Sequence, residues 1–216
     1  MTPCHFLGDG GKAMPKATFF NLPEKKRHSL IKAAEMEFSR VPLFEASIAN
    51  IVKSAEISRG SFYQYFEDKE DAYYYILGEQ AKSKNAAFRI HLENHEGNLF
   101  EAITSFYFEL LVELPDDKEY DFFRNALLNV THKMETIFNE IIEGHIKQDD
   151  MQDFTKLINK DILNIETDKE LSHVIQIISA IAFRNFVEKF TKKLTDEEAI
   201  NNFKIEMNLL KKGLAK

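Results

Sequence analysis

One short segment, residues 58–69, carries polar side chains of the types that recognise nucleic acid. Arg59 can hydrogen-bond the edge of guanine and Gln64 that of adenine in the major groove of DNA. Hydroxyls and a lysine ammonium can bond backbone phosphates, and Gly60 would let the backbone approach DNA closely. These residue types predict a surface that binds double-stranded DNA. The candidate interface comprises Ser47, Ser58, Arg59, Gly60, Ser61, Tyr63, Gln64, Tyr65 and Lys69.

Two short helices joined by a turn are predicted to hold these side chains. Ser47 is an N-cap candidate for the first helix and Ser58 for the second. Phe62 and Phe66, one turn apart, point inward from the second helix. Asp68 then caps a long helix. The order is typical of a helix-turn-helix, in which the second helix enters the major groove and the first crosses the backbone. A three-helix packing unit with ordinary exposed polar residues is the alternative interpretation.

The helical spacing of apolar residues continues through nearly the whole chain, and no alternating stretch competes as a strand. Pro23 suits the first position of a helix that runs to about Arg40. We therefore expect an all-α fold of about nine helices. We assign a flexible N-terminal arm to residues 1–22, a three-helix helix-turn-helix domain to 23–70, and a larger helical bundle for ligand binding and dimerisation to 71–216.

Three sequence blocks link the predicted DNA-binding domain to a known family. They are Ile31-x-x-Ala34-x-x-x-Phe38, Ser47-Ile-Ala-Asn-Ile51, and Ile57-Ser-Arg-Gly-Ser-Phe-Tyr-Gln-Tyr-Phe66-Glu-Asp-Lys-Glu70. With these blocks, residues 24–72 resemble the DNA-binding domain of the TetR family of bacterial repressors. The resemblance implies a homodimer with a C-terminal domain for ligand binding and dimerisation. It places these residues at DNA-contacting positions: Ser47, Arg59, Gly60, Ser61, Tyr63, Tyr65 and Lys69.

The chain departs from the family pattern in the turn of the helix-turn-helix. The family usually has Gly where this sequence has Glu56. A residue with a side chain there would bear the cost of a left-handed backbone, or the turn would differ. Val52 replaces a usual Ala, and Val41-Pro-Leu-Phe44 replaces a common Gly-Tyr connection. None of these changes removes a predicted DNA donor.

The charge distribution allows DNA binding despite a net charge of −7. Residues 1–70 hold 10 Lys or Arg and 9 Asp or Glu, whereas residues 71–216 hold 18 and 26. Six basic residues fall within 12–32, where Glu24 is the single acid. Only the contacting face has to attract phosphate, so a basic patch on an acidic body is workable. A solvated run of charge is the alternative interpretation.

Composition indicates a cytoplasmic protein without a membrane partner. No apolar stretch reaches the roughly 18 residues expected of a membrane span, and the first residues lack the order of a signal peptide. Cys4 is the single cysteine, which excludes an internal disulfide framework and fits a reducing compartment.

Two C-terminal segments are predicted to form a dimer interface. Apolar residues of the last helix repeat at intervals of three and four, which is a narrow packing seam, and the segment 174–183 is apolar nearly all round. An intramolecular core would explain the same pattern. The predicted dimerisation residues are Val174, Ile178, Ile181, Ile200, Phe203, Met207 and Leu210.

A pocket for an apolar effector is predicted in the second domain, because 19 Phe residues are many for this length. Each of these residues also has a simpler explanation. The Phe residues would be ordinary core, the polar residues would form a solvent-facing stripe, and Arg184 would form a salt bridge with Glu188. The predicted pocket residues are Phe106, Asn125, Asn129, His132 and Arg184.

No catalytic, metal or cofactor site is supported by the sequence. His91 and His95 have a metal-compatible spacing, but the Glu between them stands in the wrong place for the zinc protease motif, and two exposed histidines are the simpler interpretation. The sequence therefore predicts a repressor that binds a pseudo-palindromic operator as a dimer and is released by a small apolar effector. The rivals are a helical protein-binding dimer that does not bind DNA and a helical enzyme using the two histidines.

Overall fold

A computed structural model describes residues 15–113, 122, 125–126 and 155–214 of the 216-residue chain. These residues form helices and connecting loops with no β-strand, which confirms the all-α class. The elements are α1 Ala17–Phe20, α2 Glu24–Arg40, α3 Ile48–Ser54, α4 Arg59–Tyr65, α5 Lys69–Asn94, α6 Leu99–Glu113, a 3₁₀ helix Lys160–Ile162, α7 Asp168–Thr191 and α8 Asp196–Leu214.

The chain divides into two compact units. Among the described residues, the first comprises 15–82, 122 and 125–126, and the second comprises 83–113 and 155–214. This division differs from the expected boundary after residue 70. The early turns of α5 belong to the first unit because their apolar side chains enter its core. The buried residues of these turns are Ala72, Tyr73, Tyr74, Ile76 and Leu77.

Aromatic rings fill the core of the first unit. The rings of Phe62 and Phe66 lie 5.4 Å apart and are fully buried, as their spacing predicts. A second group of rings consists of Phe38, Tyr73 and Phe122. The ring centroids of Phe38 and Phe122 lie 6.2 Å apart, and each lies 5.1 Å from that of Tyr73. Contacts of this kind fix the short helices, which would not be stable alone.

The prediction of a flexible arm over residues 1–22 is wrong for residues 15–22. These residues contain α1, and Phe19 is fully buried there, with its ring 5.1 Å from the rings of both Phe66 and Tyr75. Burying a phenyl ring between two others supplies the free energy that orders this segment. Residues 1–14 lie outside the described part.

The second unit has its own core, in which Tyr107 of α6 stacks on Phe203 of α8 with ring centroids 4.1 Å apart. Thr195 and Glu198 form a capping box at the start of α8, in which each side chain accepts from the other residue's backbone N–H. Thr167 and Glu170 form a second capping box at α7. Among the described residues, no helix is both long and apolar enough to cross a membrane.

The predicted dimerisation seam needs correction. Val174, Ile178, Phe203 and Met207 are each at most 4% exposed within a single chain, so they belong to its own core and are not available to a second subunit. The 3-4 spacing of α8 therefore marks intramolecular packing at these positions. The other predicted residues, Ile181, Ile200 and Leu210, are half-buried.

Candidate nucleic-acid interface

Helix α4 presents the predicted base-reading side chains to solvent. Its N-cap Ser58 accepts a hydrogen bond from the Ser61 backbone N–H at 3.0 Å, as predicted. Phe62 holds the inner face in the core, which leaves Arg59 and Gln64 exposed on the outer face. Within the described residues, neither of these two side chains has a hydrogen bond or an ion pair. Both are therefore free to bond a base edge.

The space around Gly60 is open. A β-carbon added at this position would meet only the Ser58 hydroxyl oxygen, at 3.8 Å, which is an ordinary van der Waals distance. The packing of the described residues therefore does not require a glycine here. The missing side chain is instead suited to a close approach of the α4 backbone to a partner such as DNA.

The turn between α3 and α4 carries the expected left-handed residue. Glu56 has a φ of 55°, and the Ile57 N–H donates to the Val52 carbonyl at 3.0 Å across the end of α3. This six-to-one bond is the mark of a Schellman motif, which normally favours Gly at the left-handed position. Glu56 thus adopts a left-handed backbone conformation although it is not a glycine.

A buried carboxylate joins α2 to the start of α3. Glu37 is 5% exposed and accepts hydrogen bonds from the guanidinium of Arg40, the backbone N–H of Ser47 and the side-chain amide of Asn50, at 2.9–3.1 Å. Burial by itself raises the pKa of Glu37, but the bonds from Arg40, Ser47 and Asn50 and the charge of Arg40 outweigh it and lower that pKa below 4.5. Glu37 therefore fixes the first turn of α3.

We did not predict this role of Glu37 from the sequence, although a signal was present. Glu37 stands seven residues after Leu30 and three after Ala34, on the face of α2 that enters the core. A charged residue on an apolar face is costly unless it is paired, so its position alone indicates a local network.

Lys69 has a structural function in addition to its predicted contact with phosphate. Its ammonium donates to the carbonyls of Phe44 at 3.0 Å and Ala46 at 3.1 Å, which ties the loop before α3 to the start of α5. An ammonium has three donors, so one remains for a phosphate oxygen. Ser47, in the same loop, is half-buried and has no side-chain capping bond.

The remaining predicted contacts surround α4. The hydroxyls of Ser58 and Ser61 are 2.8 Å apart, so they bond each other as well as any partner. Tyr63 is 39% exposed and Tyr65 is half-buried. Asp68 caps α5 as predicted, accepting from the Asp71 backbone N–H at 2.8 Å. The nine residues predicted at the DNA interface thus all lie on α4 or at the helix starts beside it.

A basic groove extends along the N-terminal end of α2. Its volume is about 500 Å³, and its walls include the cations Lys25 and Arg27 together with the imidazole of His28. The single acid is Glu24. Two of the six basic residues that the sequence places within 12–32 therefore line this groove. Its lining residues are Glu24, Lys25, Arg27, His28, Ile31 and Tyr75.

The predicted effector residues do not form one described cluster. Asn125 belongs to the first unit, where its amide donates to the Phe38 carbonyl at 2.8 Å. Phe106 and Arg184 belong to the second unit. Arg184 bonds Glu206 of α8 and lies 3.5 Å from Glu188, so the expected salt bridge forms with an additional partner. The other two predicted residues, Asn129 and His132, lie outside the described residues.

The histidine pair has a structural explanation. His91 is 12% exposed in its side chain, and its ring nitrogens lie 3.0 Å from the Ser105 hydroxyl and 2.9 Å from the Glu109 carboxylate. The interpretation of two exposed histidines is therefore wrong for His91, and His95 is half-buried as well. The described residues contain no group of three or more side chains placed to hold a metal ion.

Sequence comparison decides the family. Residues 30–72 match the family described as bacterial regulatory proteins, tetR family, and residues 98–214 match the tetracyclin repressor-like C-terminal domain. The chain belongs to the TetR family. It is accordingly a DNA-binding transcriptional regulator and not an enzyme.

Individual TetR relatives agree with this assignment. The HTH-type transcriptional regulator HbdR of Aromatoleum sp. (strain CIB) is 39% identical over 56 residues, which are 26% of this chain and 24% of that relative. SmeT, the repressor of a multidrug efflux pump of Stenotrophomonas maltophilia, has a TM-score of 0.63 over 88% of this chain and 90% of its own, at 14% identity. The regulator CifR, solved with a 26-base-pair operator, has a TM-score of 0.56 over 84% and 95%, at 16% identity. These two structures share the fold.

Proposed function

We propose that this TetR-family regulator is a repressor that binds a pseudo-palindromic operator as a homodimer and is released by a small apolar effector. The observation that carries the proposal is the pair Arg59 and Gln64, which are exposed on α4 without partners among the described residues. In this proposal, α4 lies in the major groove and these two side chains read bases. Its action on operator DNA would place it in the cytoplasm.

The neighbouring residues position the protein on the duplex. Hydroxyls and backbone groups at the starts of α3 and α4 suit phosphate oxygens, and Gly60 allows the backbone to come close. The free donor of Lys69 adds one charge-assisted phosphate contact. The residues to which we assign phosphate contacts are Ser47, Ser58, Ser61, Tyr63, Tyr65 and Lys69.

The proposed dimer face differs from the one that the sequence indicates. Arg184 and Asn185 of α7 both bond Glu206 of α8, so the two helices adjoin at this level. Ile177 on α7 is 44% exposed, and Leu209 on α8 is 62% exposed. Apolar side chains exposed to this extent on adjoining helices favour a second copy of the chain as the partner. We assign two further residues to this face, Ile181 on α7, which is half-buried, and Ile205 on α8, which is 51% exposed.

Two features of the second unit support an effector site near α6. Phe106 packs 5.4 Å from Phe88 and 5.6 Å from His91, which gives an apolar wall with a polar neighbour. The buried hydroxyl of Tyr107 has no hydrogen-bond partner among the described residues. A bound ligand or water would satisfy such a group. An effector would act through its different affinities for the two subunit arrangements, only one of which fits successive major grooves.

The test is a titration of DNA fragments from upstream of the protein's own gene, repeated at several salt concentrations. We expect specific binding whose logarithm falls linearly with the logarithm of the salt concentration. Arg59→Ala should cost about 1–3 kcal/mol on the operator and relax the base preference, whereas Lys69→Ala should weaken all sequences alike. Lys212→Ala, which removes an exposed charge from α8, is the matched control. Absent or salt-insensitive binding would contradict the proposal.

A further inference from the structure

The C-terminal end of α4 cannot satisfy its own hydrogen bonds. The helix has seven residues, and the Phe66 N–H bonds the Phe62 carbonyl. The next backbone donor, on Glu67, bonds the side chain of Asp71. The carbonyls of residues 63–65 therefore need donors from another part of the chain.

The segment around α1 supplies all three donors. The backbone N–H of Lys16 donates to the Tyr65 carbonyl at 2.8 Å, and the Lys16 ammonium donates to the Tyr63 carbonyl at 2.9 Å. The hydroxyl of Thr18 donates to the carbonyl of Gln64. A positive charge at this end also suits the helix dipole. The three bonds set both the position and the rotation of the last turn of α4.

A buried aromatic side chain holds this segment in place. Phe19, next to Thr18, is fully buried against Phe66 and Tyr75. Lys16 has a second anchor in the carboxylate of Glu67, 3.1 Å from its ammonium. The segment therefore cannot shift along α4 without withdrawing a phenyl ring from the core, which would lose its transfer free energy.

We propose that residues 16–20, here termed the N-terminal clamp, are a positioning element for base recognition. The inference rests on the proposed function, in which α4 reads the major groove. The clamp acts on the backbone of Gln64, a residue to which we assign a base contact. A bidentate contact between an amide and a base requires a narrow range of positions and angles. Non-specific binding to phosphates tolerates far more displacement.

This difference between base and phosphate contacts gives the clamp a distinctive signature. Loosening it should reduce binding to the operator while binding to random DNA remains unchanged. If Lys16 contacted a phosphate directly, its removal would weaken both kinds of DNA and reduce the salt slope by about one. Thr18 is uncharged, so substitutions there cannot alter the number of released counterions.

The experiment compares Thr18→Val with Thr18→Ser in the full chain. Valine keeps the shape and removes the donor, whereas serine keeps the donor. Fluorescence anisotropy would measure affinity for the operator and for a random duplex of equal length at several salt concentrations. We expect Thr18→Val to bind the operator about three- to tenfold more weakly, with unchanged random-duplex affinity and salt slope. Thr18→Ser should bind as the parent does.

Asn21→Ser, at an exposed position just after the clamp, is the matched control and should change nothing. Hydrogen exchange over residues 59–66, measured without DNA, should be faster in Thr18→Val than in Thr18→Ser. Parent-like operator binding by Thr18→Val, or parallel losses on both duplexes, would overturn the proposal. If the parent bound no DNA while hydrogen exchange rose as expected, the DNA-reading function would be wrong and the structural clamp would stand.

Discussion

Helices α4 and α8 use polar side chains in opposite ways. On α4, Arg59 and Gln64 face solvent without partners among the described residues, while the backbone of the helix is held by other segments. On α8, the carboxylate of Glu206 is occupied by bonds from Arg184 and Asn185 of α7. Helix α4 therefore keeps its outward side chains available for a partner and is stabilised by contacts with other segments. Helix α8 uses its side chains to stabilise the unit.

This contrast explains why recognition is placed on so short a helix. Seven residues cannot form a stable helix alone, so α4 depends on its cap, its two buried phenyl rings and the N-terminal clamp. Apart from the exposed cap Ser58, the side chains that support it point inward or lie on another segment. The outer face is therefore left free for DNA, and its sequence can vary with the operator without a large change in folding free energy.

The largest expected effect comes from removing a core ring in one unit at a time. Phe62 and Phe203 are both fully buried. Phe62→Ala and Phe203→Ala should each destabilise the protein by about 3–5 kcal/mol. If α4 depends on the core beneath it, Phe62→Ala should also abolish operator binding. Urea unfolding would measure the stabilities of both variants.

Hydrogen exchange locates the two losses. Phe62→Ala should accelerate exchange mainly within residues 15–82, and Phe203→Ala mainly within 83–113 and 155–214, because each unit has its own core. Equal acceleration in both units from either change would show that they unfold as one, and the contrast between α4 and α8 would then not extend to folding.

The second effect concerns the carboxylate that fixes α3. Glu37→Gln keeps the shape but places an amide N–H₂ among donors, and should cost about 1–3 kcal/mol at pH 7. Because the pKa of Glu37 is lowered in the folded state, its contribution is present above pH 4.5 and is lost as the pH falls through the folded pKa. Thermal unfolding between pH 7 and pH 3 would show this loss in the parent and not in Glu37→Gln.

Glu45→Gln is the matched control for this titration, because Glu45 is an exposed acid in the loop between α2 and α3. The thermal stability of Glu45→Gln should equal that of the parent at every pH. A parent-like pH dependence in Glu37→Gln would mean that other carboxylates produce the acid sensitivity of this unit.

The base-reading helix could be predicted from the sequence because its signals are local. The cap Ser58, the anchors Phe62 and Phe66 and the exposed donors all fall within twelve consecutive residues. The N-terminal clamp could not be predicted in this way, because its three bonds join residues 46 to 49 positions apart. The adjacent phenyl rings of Phe19 and Phe20, in a segment without other helix signals, were the one local hint.

The second unit shows a different limit on sequence interpretation. The 3-4 spacing along α8 correctly identifies a buried face, but periodicity is the same whether the partner belongs to the same subunit or to another. Phe203 and Met207 face the chain's own core, and exposed Ile205 and Leu209 carry the surface that we assign to dimerisation. Only the three-dimensional packing separates these two sets.

A smaller effect is expected from Gly60→Ala, which separates folding from recognition. The added methyl group meets only Ser58 Oγ at 3.8 Å, and Ala favours a helix over Gly. The variant should therefore be about 0.5–1 kcal/mol more stable than the parent. Operator affinity should fall about tenfold if the α4 backbone lies against DNA. Calorimetry and anisotropy on the same samples measure the two changes, and tight operator binding by Gly60→Ala would place this part of α4 away from the duplex.

The smallest effect is expected on α7, at Arg184. Its guanidinium is half exposed and shares Glu206 with the amide of Asn185, so Arg184→Ala leaves that carboxylate with a partner. The loss in folding free energy should stay below about 1 kcal/mol, as for other exposed ion pairs. Asn185→Ala removes the partially buried bond to the same carboxylate, and by the same reasoning should cost more than Arg184→Ala. Thermal unfolding of the two variants ranks them directly. A larger loss from Arg184→Ala, accompanied by dissociation into monomers in analytical ultracentrifugation, would instead place Arg184 within the dimer interface, where an exposed ion pair of one chain becomes buried by its partner.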